Sequence, residues 1–438
     1  MKKTKYAVLG FGGRGEYFAR YSLLYPEQAE VVAVIDRNAF ILDSAKKKLC
    51  LSDQGCYLSL NNFIKDRIEC DFVINATMDE VHYETTKMLL NAGYNVLLEK
   101  PVTSNFRELL ELKDLALSKG RKLLVCHVLR YTPFYKKIKE IINSKEIGRV
   151  MNLQLNEHVW HGHFVNAYVR GKWRSEKDSG SGLLLAKSCH DTDLICWLNN
   201  ETTPTEVASF GSRAFYNQEN APEGATEYCY NCPKKDECIF DSMKFELKLD
   251  CCPRYTYWDL NKPIDKLSEE EKIEYLKSSN FGKCVYNCGM DIVDKQSVIV
   301  NFKNGTTATL NVVGGATKAG RHIHVICEYG EIFGYIEENK LIYRKFNKDA
   351  VNVKYRGDEY MYTDIEIDLN KDLSASNAET GHYGGDYNLI RDFISLLNEG
   401  VPSISTTDIN DSVNGHLVVY AAEKSRKEKK VVSLDEFK

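Results

Sequence analysis

Apolar residues in the first third of the chain gather in short runs, each stopping abruptly at a glycine or a polar residue. Tyr6 to Gly10, Val31 to Ile35, Cys70 to Asn75, Asn95 to Leu98 and Leu123 to Cys126 read as buried strands. Between them, Glu16 to Leu24, Ala45 to Leu49, Tyr83 to Ala92 and Phe106 to Ser118 read as helices. Strand–helix alternation at this spacing predicts a parallel, doubly wound α/β sheet over residues 1–126. From His127 the rhythm changes. Phe134 to Ser144 predicts an amphipathic helix, and Gly148 to Val150 opens a strand. Ser297 to Phe302, Thr307 to Val313 and His322 to Glu328 then alternate as strands, with Asn304-Gly305 as a hairpin turn. Residues 127–438 are therefore expected to form a second, α+β domain, and a length of 438 residues favours two domains over one.

The joints of the first pattern carry chemistry. Gly10-Phe11-Gly12-Gly13-Arg14-Gly15 follows the first strand directly and fits G-x-G-x-x-G. In that motif the first glycine makes a tight turn, the second lets a pyrophosphate approach the backbone, and the third lets helix and strand pack closely. The second strand ends in Asp36, where a carboxylate binds adenosine ribose hydroxyls, and Arg37 beside it leaves NADP open as an alternative to NAD. Thr77 and His82 open a helix at the same sheet edge. Asn95 to Leu98 stops on Glu99-Lys100-Pro101, which puts a lysine at the carboxyl end of a strand, where open α/β sheets bind ligands.

Composition narrows the class. The chain is 43% hydrophobic, enough for substantial cores, and its 58 basic and 62 acidic residues give a net charge of -4. That balance offers no attraction to nucleic acid or an anionic membrane. No apolar run is long enough to span a bilayer and no secretory signal is visible, so the expected compartment is the cytoplasm. There the 14 cysteines are expected to be thiols or metal ligands.

Taken together, Gly10-x-Gly-x-x-Gly15, Ala76-Thr-x-x-x-x-His82 and Glu99-Lys-Pro101 resemble the Gfo/Idh/MocA oxidoreductases, over nearly the whole chain. The resemblance implies a Rossmann domain followed by a domain with a large, mostly antiparallel sheet, one face of which often forms a dimer interface. A homodimer or homotetramer is expected. It implies that Lys100 contacts both nicotinamide and the substrate hydroxyl, with a cis bond common before the proline. His127 to Pro133 resembles the hinge between domains, where Arg130 would approach the cofactor. Gly180 to Trp197 resembles the segment carrying an essential histidine at a helix start, here His190. Many family members have aspartate four residues before that histidine, whereas this chain has Ala186. Either Lys100 and His190 move the proton alone or Lys187 joins them. Trp173, Arg174 and His382 complete the expected substrate contacts, with Asp386 read as a helix N-cap. The implied activity is hydride transfer between NAD(P) and a sugar, cyclitol or related polyol. An NAD-retaining glycoside-cleaving enzyme and a non-catalytic cofactor or sugar sensor are the rival readings.

An insertion around residues 225–290 falls outside that pattern. Cys229-x2-Cys232-x5-Cys238 is followed by Cys251-Cys252 and by Cys284-x3-Cys288. Thiolates at such spacing suit a tetrahedral Zn site or an iron–sulfur centre, and a metal would hold together a segment too polar for its own core. Free thiols are the alternative. The expected ligands are Cys229, Cys232 and Cys238, with Cys252 or Cys251 as the fourth and Cys284 or Cys288 behind them.

Overall fold

A computed structural model describes residues 3–248, 253–352, 361–370 and 381–437. The first strands are β1 (Thr4–Leu9), β2 (Ala29–Ile35), β3 (Cys56–Tyr57), β4 (Phe72–Asn75), β5 (Asn95–Leu98) and β6 (Leu123–Val125). They form one sheet in the order β3-β2-β1-β4-β5-β6, with every pairing parallel. This is the nucleotide-binding order, with its switch point between β1 and β4. Covering helices are α1 (Gly13–Leu24), α2 (Ala39–Leu49), α3 (His82–Asn91) and α4 (Phe106–Ser118). Two start earlier than the sequence suggests. α1 begins inside the glycine motif, and α2 begins at Ala39, where the Asn38 side chain accepts the Phe40 N–H.

The crossover to the second domain is helix α5 (Pro133–Ser144). Proline at its first position needs no donor, and the Thr132 hydroxyl accepts the Tyr135 N–H. Nine further strands follow: β7 (Val150–Trp160), β8 (Pro204–Ser212), β9 (Lys295–Phe302), β10 (Thr307–Ala316), β11 (Gly320–Cys327), β12 (Gly330–Tyr335), β13 (Lys340–Phe346), β14 (Tyr362–Asp368) and β15 (Val432–Ser433). Their order is β14-β13-β12-β11-β7-β10-β9-β8-β15, antiparallel throughout except where β7 lies parallel to β10. Asn304-Gly305 turns the β9–β10 hairpin, with Gly305 at φ +85. Helices α6 (Cys189–Leu198) and α8 (Ile409–Glu428) pack on one another, and α8 also lies against β8.

One element crosses the expected boundary at 126/127. Helix α7 (Gly385–Glu399) sends Tyr387, Leu389, Ile390, Phe393 and Ile394 into the same core as Tyr6, Val8, Phe18, Phe72 and Ile74 of the first sheet. Each such side chain contributes about 1.5–3 kcal/mol on burial, so α7 is an integral cover of the nucleotide-binding layer.

Candidate active site

The glycine loop has the shape its sequence calls for. At Gly10 the backbone turns at φ +84, and a Cβ there would fall 2.7 Å from the Ala76 carbonyl oxygen. At Gly15 it would fall 1.9 Å from the Gly10 carbonyl oxygen, so helix and strand touch backbone to backbone. Gly12 and Gly13 face open space, with no heavy atom within 4 Å of an added Cβ. Because α1 starts at Gly13, the N–H groups of the motif themselves form the positive end of the helix. The Phe11 ring is buried, while its N–H donates to Asp36 Oδ2 at 2.8 Å. Asn38 N–H donates to the other oxygen at 2.9 Å. Asp36 is thus held at the end of β2, with exposed Arg37 beside it. These groups fit a dinucleotide: an uncluttered cradle for pyrophosphate and an oriented carboxylate for a ribose diol.

Several residues expected on the cofactor are also tied into the scaffold. Arg14 donates from Nε to Glu99 Oε1 at 2.6 Å and from Nη2 to Asp386 Oδ1 at 2.5 Å, and lies over the Phe18 ring. Glu99 also accepts its own neighbour's N–H, from Lys100, at 3.0 Å. Thr77 bonds to Asn75 Oδ1 through its hydroxyl at 2.8 Å. His82 is buried with Nδ1 2.6 Å from the Pro101 carbonyl oxygen and Nε2 3.1 Å from that of Thr77. It braces the Lys-Pro turn from below. Arg130 is fully buried, with Nε and Nη2 on Asp193 at 2.7 and 2.5 Å and Nη1 on Asp411. Its guanidinium pairs with both carboxylates. Asp386 is likewise no N-cap: Gly384 holds that place, and the Asp386 carboxylate binds Arg14 and His382. Burial alone would raise its pKa, but the Arg14 guanidinium and the His382 ring outweigh that and bring it to about 2.

Lys100 stands at the carboxyl end of β5, before a cis bond to Pro101. Its ammonium donates to the Ala186 carbonyl oxygen at 2.6 Å. Where relatives are expected to present a carboxylate, this chain offers a backbone oxygen. Four residues on, His190 sits in the first turn of α6, 7% exposed, its ring 5.7 Å from that of His127 and 6.3 Å from that of His382. Burial, then the positive charge of Lys100, holds its pKa well below the usual histidine value, so the ring is neutral at physiological pH. Its Nδ1 is buried without a hydrogen-bond partner.

Around this pair lies a charge network in which Lys187 meets two residues that sequence reasoning missed, Glu157 and Arg321. Lys187 Nζ is 3.3 Å from Glu157 Oε1, and Arg321 Nε reaches Glu157 Oε2 at 2.5 Å and Asp191 Oδ1 at 2.9 Å. Burial lowers the Lys187 pKa, with Glu157 opposing. A signal for Glu157 existed: it shares the inward phase of β7 with Leu153, Leu155 and Val159, where a lone carboxylate needs a cation. His163 belongs to the same neighbourhood, its pKa lowered to about 3 by burial and by the charges of Lys187 and Lys100. Trp173 sits elsewhere on the rim, donating from Nε1 to Asp79 at 3.1 Å, and Arg174 lies 3.8 Å from Asp178. His382 is exposed at φ +49, a left-handed conformation costly for histidine, and is tied to Asp386 at 2.9 Å.

Cys229, Cys232 and Cys238 line one cavity. Cys251 and Cys252 lie outside the described residues, and Cys284, from the second cysteine group, lines that cavity too. Among the described residues, no three His, Cys, Asp or Glu side chains already converge as a metal-holding group. No described helix is long and apolar enough to cross a membrane.

Known proteins resemble this chain throughout. Residues 4–127 match the model of an oxidoreductase family with an NAD-binding Rossmann fold, and residues 135–230 match the GFO/IDH/MocA C-terminal domain. An oxidoreductase of Bacillus subtilis, YteT, is 23% identical over 326 residues, covering 74% of this chain and 71% of its own. Inositol 2-dehydrogenase 2 of Saccharopolyspora erythraea is 29% identical over 144 residues, 33% of this chain and 39% of its own length. Other curated relatives are matched over about half their length, for example 51%. Among solved structures, an Agrobacterium radiobacter oxidoreductase in complex with NAD+, L-tartaric acid and magnesium superposes with a TM-score of 0.69 at 14% identity, covering 100% of both chains. With the parallel sheet, the open glycine cradle and the two matched domains in place, the chain belongs to the GFO/IDH/MocA family of NAD-binding oxidoreductases.

Proposed function

We propose that the protein transfers hydride between a nicotinamide cofactor and a secondary alcohol of a sugar, cyclitol or related polyol. The observation that carries this reading is the reach of Lys100, at the carboxyl end of the parallel sheet, to the Ala186 carbonyl oxygen four residues before His190. The Lys100 ammonium touches the segment that leads into the His190 helix. The name of one relative, an inositol dehydrogenase, supports a cyclitol or sugar alcohol.

Bound NAD supplies the hydride acceptor or donor. Everything else falls to the chain. Gly12, Gly13 and the first turn of α1 receive the pyrophosphate. Asp36 takes ribose hydroxyls and disfavours a 2′-phosphate, so NAD is preferred to NADP. Lys100 holds the reacting hydroxyl and exchanges its proton, and neutral His190 accepts or relays it. His163, Lys187 and His382 present polar contacts for the remaining hydroxyls. The second sheet exposes Phe210, Ile299, Val313 and Tyr335, apolar side chains that suit a homo-oligomeric interface.

The test is Lys100→Met assayed on a panel of sugars and cyclitols with NAD saturating. A fall in turnover of roughly 10²–10⁴-fold, with NAD binding retained, supports the assignment. Turnover within a factor of a few of wild type refutes it. Product formation without net NADH would instead favour redox-assisted cleavage.

A further inference from the structure

The cysteines of the insertion play no part in hydride transfer, yet the fold gathers them. Cys229 and Cys232 flank a single helical turn, Cys238 follows at the end of the next, and Cys284 arrives from beyond the helix Glu269–Ser278. The Cys284 N–H bonds to the Glu227 carbonyl oxygen at 2.8 Å, which ties the two stretches together. All four cysteines line one cavity of about 20 Å³, room for a single small ion or water.

Two charged groups at this spot each keep one buried atom without a partner, although Asp241 Oδ2 accepts the Lys244 N–H at 3.0 Å. Arg170 is 0% exposed and bonds only to the carbonyl oxygens of Lys283 and Phe240, at 2.8 and 2.6 Å, and to Cys229 Sγ at 3.5 Å. Its Nη1 is buried with no partner, and among the described residues it meets no carboxylate. A buried guanidinium without an anion is strongly unfavourable. Asp241, 2% exposed, lines the same cavity, and its Oδ1 is also buried without a partner. An unpaired carboxylate oxygen at the wall favours a cation inside. A cationic guanidinium against a sulfur favours negative sulfur. A divalent metal held by thiolates meets both demands.

We infer that Cys229, Cys232, Cys238 and Cys284 form a structural tetrathiolate Zn²⁺ site, with Cys284 rather than Cys252 as the fourth ligand. Binding replaces four S–H protons by four Zn–S bonds and releases four protons, leaving a centre of net charge 2−, which Arg170 partly neutralises. The four cysteines line the cavity, and among the described residues no three side chains already converge as a metal-holding group. Zn–S bonds of about 2.3 Å require the four sulfurs to draw together on binding. The site closes a loop of more than fifty residues whose own buried apolar side chains are few, among them Phe245, Tyr257, Leu276 and Phe281.

The experiment uses the full chain purified without chelator. Elemental analysis should give about one Zn per chain, and X-ray absorption should show a shell of four sulfurs near 2.3 Å. Cys284→Ser should lose most of the bound Zn, while Cys252→Ser and Cys288→Ser keep it. Should Cys284→Ser fail to fold, titrating the wild type with a mercurial reagent decides the matter. One Zn should be released as four thiols react. Zn well below one per chain, a shell of nitrogen and oxygen, the absorption of sulfur-bound iron, or Zn lost from Cys252→Ser but kept in Cys284→Ser would each overturn the assignment.

Discussion

His416 is fully buried in α8, and its two ring nitrogens have opposite jobs. Nδ1 lies 3.2 Å from the Ser412 carbonyl oxygen and donates to it, while Nε2 accepts the Val102 N–H at 3.1 Å. Only the neutral ring does both, because a protonated Nε2 would face another donor. Burial accordingly lowers its pKa from 6.5 to about 4, with the Ser412 bond opposing. The folded pKa lies below the unfolded one, so the unfolded chain takes up the proton first as pH falls. The contribution to stability is complete above about pH 6.5 and is lost progressively between there and about pH 4. At about pH 5 the loss is RT ln[(1 + 10^1.5)/(1 + 10^-1)], about 2 kcal/mol. The assay is equilibrium urea unfolding of wild type and His416→Gln at about pH 7.5 and pH 5. The four tryptophans, at 160, 173, 197 and 258, all lie beyond residue 126 and report the domain that holds His416. Glutamine can accept from Val102 and donate to Ser412 but does not titrate. The stability advantage of wild type over the variant should shrink by about 2 kcal/mol on acidification. A gap constant to within about 0.5 kcal/mol would refute the reasoning, since unrelated sites cancel to that degree. Val102 is two residues from Lys100, so the same protonation loosens the turn that presents the proposed acid–base group.

The other predictions probe the site directly. His190→Ala should lower turnover at least tenfold with NAD affinity unchanged, measured beside Lys100→Met on one substrate; an equal or larger loss than Lys100→Met would make His190 the principal base. Asp36→Ala should weaken NAD roughly tenfold or more while affecting NADP less, read from titrations of both cofactors, because a charged hydrogen-bond partner contributes about 1.5–3 kcal/mol. Arg14→Gln leaves Asp386 and Glu99 without their cation and should destabilise by about 3 kcal/mol in urea, the low end of the range for a broken buried pair because the Arg14 side chain is 36% exposed. Glu157→Gln should disturb both Lys187 and Arg321 and raise the substrate KM more than it lowers kcat, as steady-state kinetics would show.

Five of the six strands of the first sheet were legible because each is a nearly unbroken apolar run ended by a residue with a job, as Leu9 is followed by Gly10 and Leu98 by Glu99, whereas the two-residue β3 was too short to leave a pattern. The role of Asp386 was not legible, because its partner Arg14 lies 372 residues away and nothing local distinguishes a helix-start aspartate that caps from one that forms an ion pair. The partners of Arg130 were hidden for the same reason: its motif placed it near the hinge, but Asp193 and Asp411 lie 63 and 281 residues away. Asp386 announced the start of a helix without saying which domain that helix would cover. In the insertion, spacing brought the cysteines to notice, while only three-dimensional proximity drew Cys284 to the first three.

The helix Gly385–Glu399 also bears on how the protein is made. Translation delivers residues 1–126 first, but the nonpolar side chains that finish that layer come from a helix ending at residue 399. At roughly 5–20 residues per second, the ribosome needs roughly 15–55 s to supply it. Throughout that interval the aromatic face around Phe18 and Phe72 stays uncovered on a nascent chain. Such a chain is a natural client for chaperones, and a fragment ending at residue 126 should aggregate when expressed alone.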